Sequence, residues 1–122
     1  MKMKTPLIII ANTNRNELET LAQELQQEGY ETLGAVNADE LHKALHRKKK
    51  AALVVLDMSG FDESVWERCS YMHEAKIPFI VIEPQRSPVI QRNSMKHGAS
   101  GLLVKPLSNK ELIEHIHTVL GD

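Results

Sequence analysis

Apolar residues fall into two alternating patterns along this chain. Short unbroken runs recur at Leu7–Ala11, at 51–56, at 79–82 and at Gly101–Val104. Runs that are apolar at nearly every position predict strands buried on both faces, as in a parallel sheet. A weaker run at 31–36 predicts an edge strand. Between the runs, apolar residues return at helical spacing. The stripes are Leu18, Leu21, Ala22 and Leu25; Leu41, Ala44 and Leu45; Val65, Cys69 and Met72 with Trp66 beside them; Val89, Ile90, Ser94 and Met95; and Leu112, Ile113, Ile116, Val119 and Leu120.

Local signals mark where these helices begin and end. Asn14…Glu17, Asn37…Glu40 and Ser108…Glu111 each set a capping side chain three positions before a glutamate. Ser87-Pro88 places a capping residue before a first-turn proline. Gly29, Gly98 and Gly121 follow the stripes as helix stops. The order is β-α repeated five times. Right-handed crossovers then predict a three-layer αβα sandwich, a doubly wound (βα)5 fold on a five-stranded parallel sheet. No linker, repeat or low-complexity tract interrupts residues 1–122, which read as one domain.

Composition narrows the class. Of the 122 residues, 42% are hydrophobic and 25% charged, enough apolar matter for one core. A net charge of −1 gives no global reason to expect nucleic acid as a partner. The single cysteine, Cys69, excludes an intrachain disulfide. The apolar stretch after Met1-Lys2-Met3-Lys4 is too short for a signal peptide or a membrane span, so a cytoplasmic location is expected. The ending Leu120-Gly121-Asp122 falls where a linker to a further domain would begin, which leaves open a whole protein or a domain excised from a longer chain.

Candidate chemistry gathers at the strand ends, where open parallel sheets place their sites. Asp57 closes the run Ala51-Ala52-Leu53-Val54-Val55-Leu56, and Lys105 closes Leu102-Leu103-Val104 just before Pro106. The block His97-Gly98-Ala99-Ser100-Gly101-Leu102-Leu103-Val104-Lys105-Pro106-Leu107 joins a helix stop, a tight turn, a buried strand and a terminal Lys-Pro. With Asp57, it makes the whole chain resemble the CheY-like receiver domain of two-component response regulators.

That resemblance implies strand order 2-1-3-4-5, a cis bond before Pro106, and a signalling module rather than an enzyme. It implies Asp57 as phosphoacceptor and Lys105 as the pocket lysine. Receivers also use an acidic pair after the first strand to hold Mg²⁺, and a hydroxyl at the end of the fourth. Here the pair is replaced by Asn12 and Thr13, and the hydroxyl by Glu83. Mg²⁺ favours carboxylate oxygen, so two neutral side chains hold it poorly. The loop Met58-Ser59-Gly60-Phe61-Asp62 is shorter than the family's and lacks its proline. Leu102 stands where a switching aromatic usually sits.

The expectation is a degenerate receiver, or pseudo-receiver, without metal or cofactor, acting through protein contacts. Asp57, Glu83 and Lys105 are expected to form a fixed ion cluster, against the alternative that Glu83 faces solvent. The resemblance offers a kinase, an output domain or a second copy as partner. Contact would run through the face of the fourth helix, fifth strand and fifth helix, carrying Arg92, Lys96, Lys110, Glu114 and His117. Two other readings stay open: an active receiver phosphorylated on Asp57 with Mg²⁺, and a small-ligand binder at the strand-end crevice.

Remaining features read as structural. His42 and His46 have metal-chelating spacing but no completing ligand, and His115 and His117 flank the core residue Ile116 as surface positions. Arg47-Lys48-Lys49-Lys50 suits a helix C-terminus. Trp66 reads as partly buried and Cys69 as a small buried hydrophobe. Ser87 reads as a cap rather than a replacement hydroxyl. No phosphate loop follows any strand, and Asn12-Thr13-Asn14-Arg15-Asn16 lacks the glycine a flavin loop wants.

Overall fold

The computed structural model describes residues 5–121. The opening Met1-Lys2-Met3-Lys4 and the final Asp122, on which the leader and linker expectations partly rest, lie outside the described residues. The elements run β1 (Leu7–Ala11), α1 (Arg15–Gln27), β2 (Glu31–Ala35), α2 (Ala38–Leu45), β3 (Leu53–Asp57), α3 (Val65–Glu74), β4 (Phe79–Glu83), α4 (Pro88–Lys96), β5 (Gly101–Val104) and α5 (Asn109–Leu120). All strand pairs are parallel and the order is β2-β1-β3-β4-β5.

Alternation along the strands divides the core in two. Ile8, Ile10, Val55, Ile80 and Ile82 face α1 and α5, against Leu18, Leu25, Leu112 and Ile116. Ile9, Val54, Leu56, Phe79 and Val81 face the other way, against Leu41, Val65, Cys69 and Met72 of α2 and α3. The three central strands are buried at every position, as the unbroken apolar runs require.

The predicted caps all form. Asn14, Asn37, Ser87 and Ser108 accept the backbone N–H of Glu17, Glu40, Ile90 and Glu111 at 3.1, 2.8, 3.2 and 3.1 Å. The reciprocal half differs among them. Only Glu111 turns back to its cap, accepting from Ser108 N–H at 3.2 Å. Glu40 accepts from Val36 N–H instead, and Glu17 turns toward the strand ends. Gly98 has φ +76°, and a Cβ there would lie 2.3 Å from the His73 ring, so glycine is required on both counts.

Two expectations are corrected. The α4 stripe does not bury: Ser94 is inside and Ile90 half-buried, but Val89 is 57% and Met95 80% exposed. Ile90 and Ser94 are one turn apart on one face, while Val89 and Met95 fall off that line. β5 is half-exposed throughout, because it closes the sheet at an edge.

Cys69 is fully buried beside Val65 and Met72, and burial pushes its thiol up to about 12. A thiolate is the reactive form, so Cys69 is inert in the folded chain. Ellman's reagent should find no reactive thiol at neutral pH in native protein and one after unfolding in guanidinium.

Candidate functional site

The strand ends bring Asp57 and Lys105 together. β3 delivers Asp57 into the sheet's carboxyl edge, where its side chain is 7% exposed. The chain leaves β5 still bonded to β4, Lys105 N–H donating to Glu83 C=O at 3.0 Å. That holds Lys105 beside β3, with Nζ 2.8 Å from Asp57 Oδ2. The Lys105–Pro106 bond is cis. Asp57 Oδ1 accepts Ser59 N–H at 3.0 Å, and Lys105 Nζ donates to Ser59 Oγ at 3.3 Å. Both carboxylate oxygens are therefore engaged.

The residues after β1 are equally occupied. Asn12 is buried; its Oδ1 accepts Asn14 N–H at 2.8 Å and its Nδ2 lies 3.5 Å from Glu17 Oε1. The Thr13 hydroxyl donates to Ser59 C=O at 2.9 Å, bracing the loop after β3. Gly60 carries φ +82° beneath it, and a Cβ there would sit 2.4 Å from Thr13 Oγ1.

Glu83 corrects the expected ion cluster and also its alternative. It is fully buried, not solvent-facing, yet it makes no ion pair with Lys105 among the described residues. Strand parity explains why. Asp57 pairs with Ile82, and Glu83 with Val104, so Glu83 projects to the opposite side of the sheet from Asp57 and Lys105. Its Oε1 accepts Ser87 N–H at 2.5 Å, stapling the turn into α4, and its Oε2 is buried without a partner.

The third charge at the site is Glu17, in the first turn of α1, with Oε1 3.9 Å from Lys105 Nζ. Sequence reasoning assigned Glu17 to capping alone. The signal that could have found it was its place one turn into the helix that starts beside the strand ends. Asn12, Glu17, Asp57 and Lys105 rim a crevice of about 390 Å³ floored by Ile10 and Ile82.

The buried donors here, Asp57 and Asn12, are already engaged and not free for Mg²⁺. The ion takes six oxygens in a tight octahedron and is held through carboxylates. Asp57 is paired with a cation, Asn12 and Thr13 are neutral and hydrogen-bonded, and Glu17 lies by the same lysine. Among the described residues no group of three His, Cys, Asp or Glu side chains converges on a metal position.

The other candidates sit elsewhere. The His46 ring lies between His42 and Tyr71, with centroids 4.2 and 4.6 Å away. Trp66 is half-buried and stacks on His97. His117 Nε2 is 3.2 Å from Glu28 Oε1, and Lys110, Glu114 and His117 line a cleft with α1 residues. Those three therefore flank α1, not the face shared by α4, β5 and α5 on which they were expected. Among the described residues no helix is long and apolar enough to cross a membrane.

Residues 8–117 match the response regulator receiver domain family, and the chain belongs to it. A CheY-like response regulator receiver domain protein from Methanospirillum hungatei JF-1 superposes with TM-score 0.85 at 24% identity, over 97% of this chain and 95% of that one. A response regulator receiver protein from Pseudomonas putida gives 0.84 at 23%, over 96% and 99%. A response regulator protein from Burkholderia pseudomallei, solved with a phosphorylated aspartic acid, calcium ion and citrate, gives 0.80 at 20%, over 95% and 69%. At these identities the likeness is one of fold. The chain is thus a receiver domain of two-component signalling, a kind of module that generally signals rather than catalyses and contacts proteins such as kinases and output domains.

Proposed function

We propose that this receiver is a pseudo-receiver: it signals by protein–protein contact, without Mg²⁺-dependent phosphorylation of Asp57. The observation that carries the reading is the closed pairing of Asp57 with Lys105 and Ser59 beside a neutral Asn12 and Thr13. A phosphoryl group brings charge that a divalent ion must offset. Here Lys105 is the one cation in contact with Asp57 among the described residues, and Glu17 adds a second negative charge near it.

The contact surface is the α4–β5 side. Val89 and Met95 expose large apolar side chains there, with Arg92 and Lys96 exposed on the same helix. Exposed apolar groups rimmed by polar ones mark interaction sites. The partner is a protein: a kinase, an output domain or a second copy of this chain.

The test is a titration of the ¹⁵N-labelled domain with millimolar Mg²⁺, then with beryllofluoride. Amides of Asn12, Asp57, Ser59 and Lys105 should show no saturable shift in either step. Saturable shifts centred on those amides would restore the active-receiver reading.

The crevice supports a second reading, a small-molecule binder at the same strand ends. Its volume and half-apolar lining suit a compact ligand. Native mass spectrometry of freshly purified protein should then show a stoichiometric mass adduct lost on denaturation.

A further inference from the structure

The function proposed above leaves one edge of the sheet and one charged segment unused, and they lie together. β2 is an outer strand. Glu31 N–H donates to Pro6 C=O at 2.9 Å, and Ala35 C=O accepts Asn12 N–H at 3.0 Å, so the odd-numbered residues of β2 turn to β1. In a parallel ladder alternate residues turn the other way. The N–H and C=O groups of Thr32 and Gly34 therefore face outward, and an edge of that kind is a template for another strand. Gly34 is exposed and brings no side chain to screen it.

Beside this edge stand cations of α2 and of the segment that follows it. Lys49 is engaged, donating to Glu31 Oε1 at 2.6 Å and to Thr5 C=O at 2.7 Å. Lys43, Arg47, Lys48 and Lys50 are exposed and hold no ion pair among the described residues. Two clefts of about 310 and 360 Å³ lie against β2, sharing half-buried Leu33 and Arg47. Outward backbone groups, an apolar contact and unpaired cations thus form one strip.

We infer that the outer edge of β2 docks an extended acidic protein segment by strand addition, with its carboxylates on Arg47 and Lys48 and an apolar side chain on Leu33. Strand addition draws affinity from main-chain hydrogen bonds and selectivity from alternate side chains. Nucleic acid would use the cations but could not continue the alternating N–H and C=O pairing of a strand, which separates the two occupants.

The test uses a fluorescein-labelled peptide of alternating glutamate and valine, its lysine–valine counterpart and a single-stranded DNA oligomer, read by anisotropy. The acidic peptide should bind, and R47E/K48E should weaken it about tenfold or more. T32P should weaken it comparably, because proline removes an outward N–H and no bond to β1. K76E/R86E, in the loops on either side of β4, should leave it unchanged. Independently of any variant's folding, amide exchange in the unmodified domain should slow at Thr32 and Gly34 when the acidic peptide is added. The inference is overturned if the peptide does not bind, if those amides stay unprotected, or if DNA or the basic peptide binds as tightly.

Discussion

K105M should lower the unfolding free energy by about 2–4 kcal/mol in urea titrations. Methionine keeps the length and apolar stem of lysine but removes the ammonium 2.8 Å from Asp57 Oδ2. Asp57 would stay buried with one remaining donor, Ser59 N–H. Removing one partner of a buried ion pair typically costs about 3–5 kcal/mol, because the other charge is left uncompensated. Lys105 is 32% exposed, so water reaches the gap and the loss is smaller. D57N should cost about 1 kcal/mol, since asparagine still accepts from Ser59 and the freed lysine turns to solvent. The double variant D57N/K105M should recover much of the K105M loss, a coupling of about 1–3 kcal/mol. E17Q should change stability by under about 0.5 kcal/mol, because Glu17 is 56% exposed and 3.9 Å away. If K105M and D57N simply add, Asp57 is not held by Lys105 and the argument that it is withdrawn from phosphoryl chemistry loses its support.

The parts of this molecule legible in the sequence are those fixed by local rules. Helix starts were readable because Asn14, Asn37, Ser87 and Ser108 each meet their own chain three residues on, a contact no distant neighbour can alter. The central strands were readable because burial on both faces leaves an unbroken apolar run. Asp57 and Lys105 were readable as a pair because parallel strands align their ends. The direction of Glu83 was equally legible, since Val81-Ile82-Glu83 alternates faces and Ile82 lies beside Asp57. Glu17 was harder, because its spacing from Asn14 satisfies a capping box whichever way the side chain turns. The exposure of Val89 and Met95 depends on how α4 sits against the sheet, and a thin stripe with two candidate faces does not choose between them.

Glu83 gives the clearest separation of charge from position. Glu83→Gln should raise the unfolding free energy by about 1–2 kcal/mol at neutral pH. The amide keeps the oxygen that accepts Ser87 N–H and so keeps the turn into α4. It replaces a fully buried carboxylate oxygen that has no partner with a neutral group. A fully buried carboxylate oxygen without a partner costs more than an unpaired neutral amide group, which costs about 1–3 kcal/mol. Glu83→Ala should go the other way, by about 1–3 kcal/mol, because it leaves Ser87 N–H unsatisfied and opens a void. The response of the Asp57 and Lys105 amides to Mg²⁺ should be the same in both variants as in the parent, since Glu83 projects to the other side of the sheet. Two outcomes would break this account. If glutamine destabilises as much as alanine, the carboxylate has a compensating partner on the α4 side. If either variant gains a saturable Mg²⁺ response, Glu83 governs the Asp57 centre across the sheet, and the block on phosphorylation lies there rather than in the pairing with Lys105.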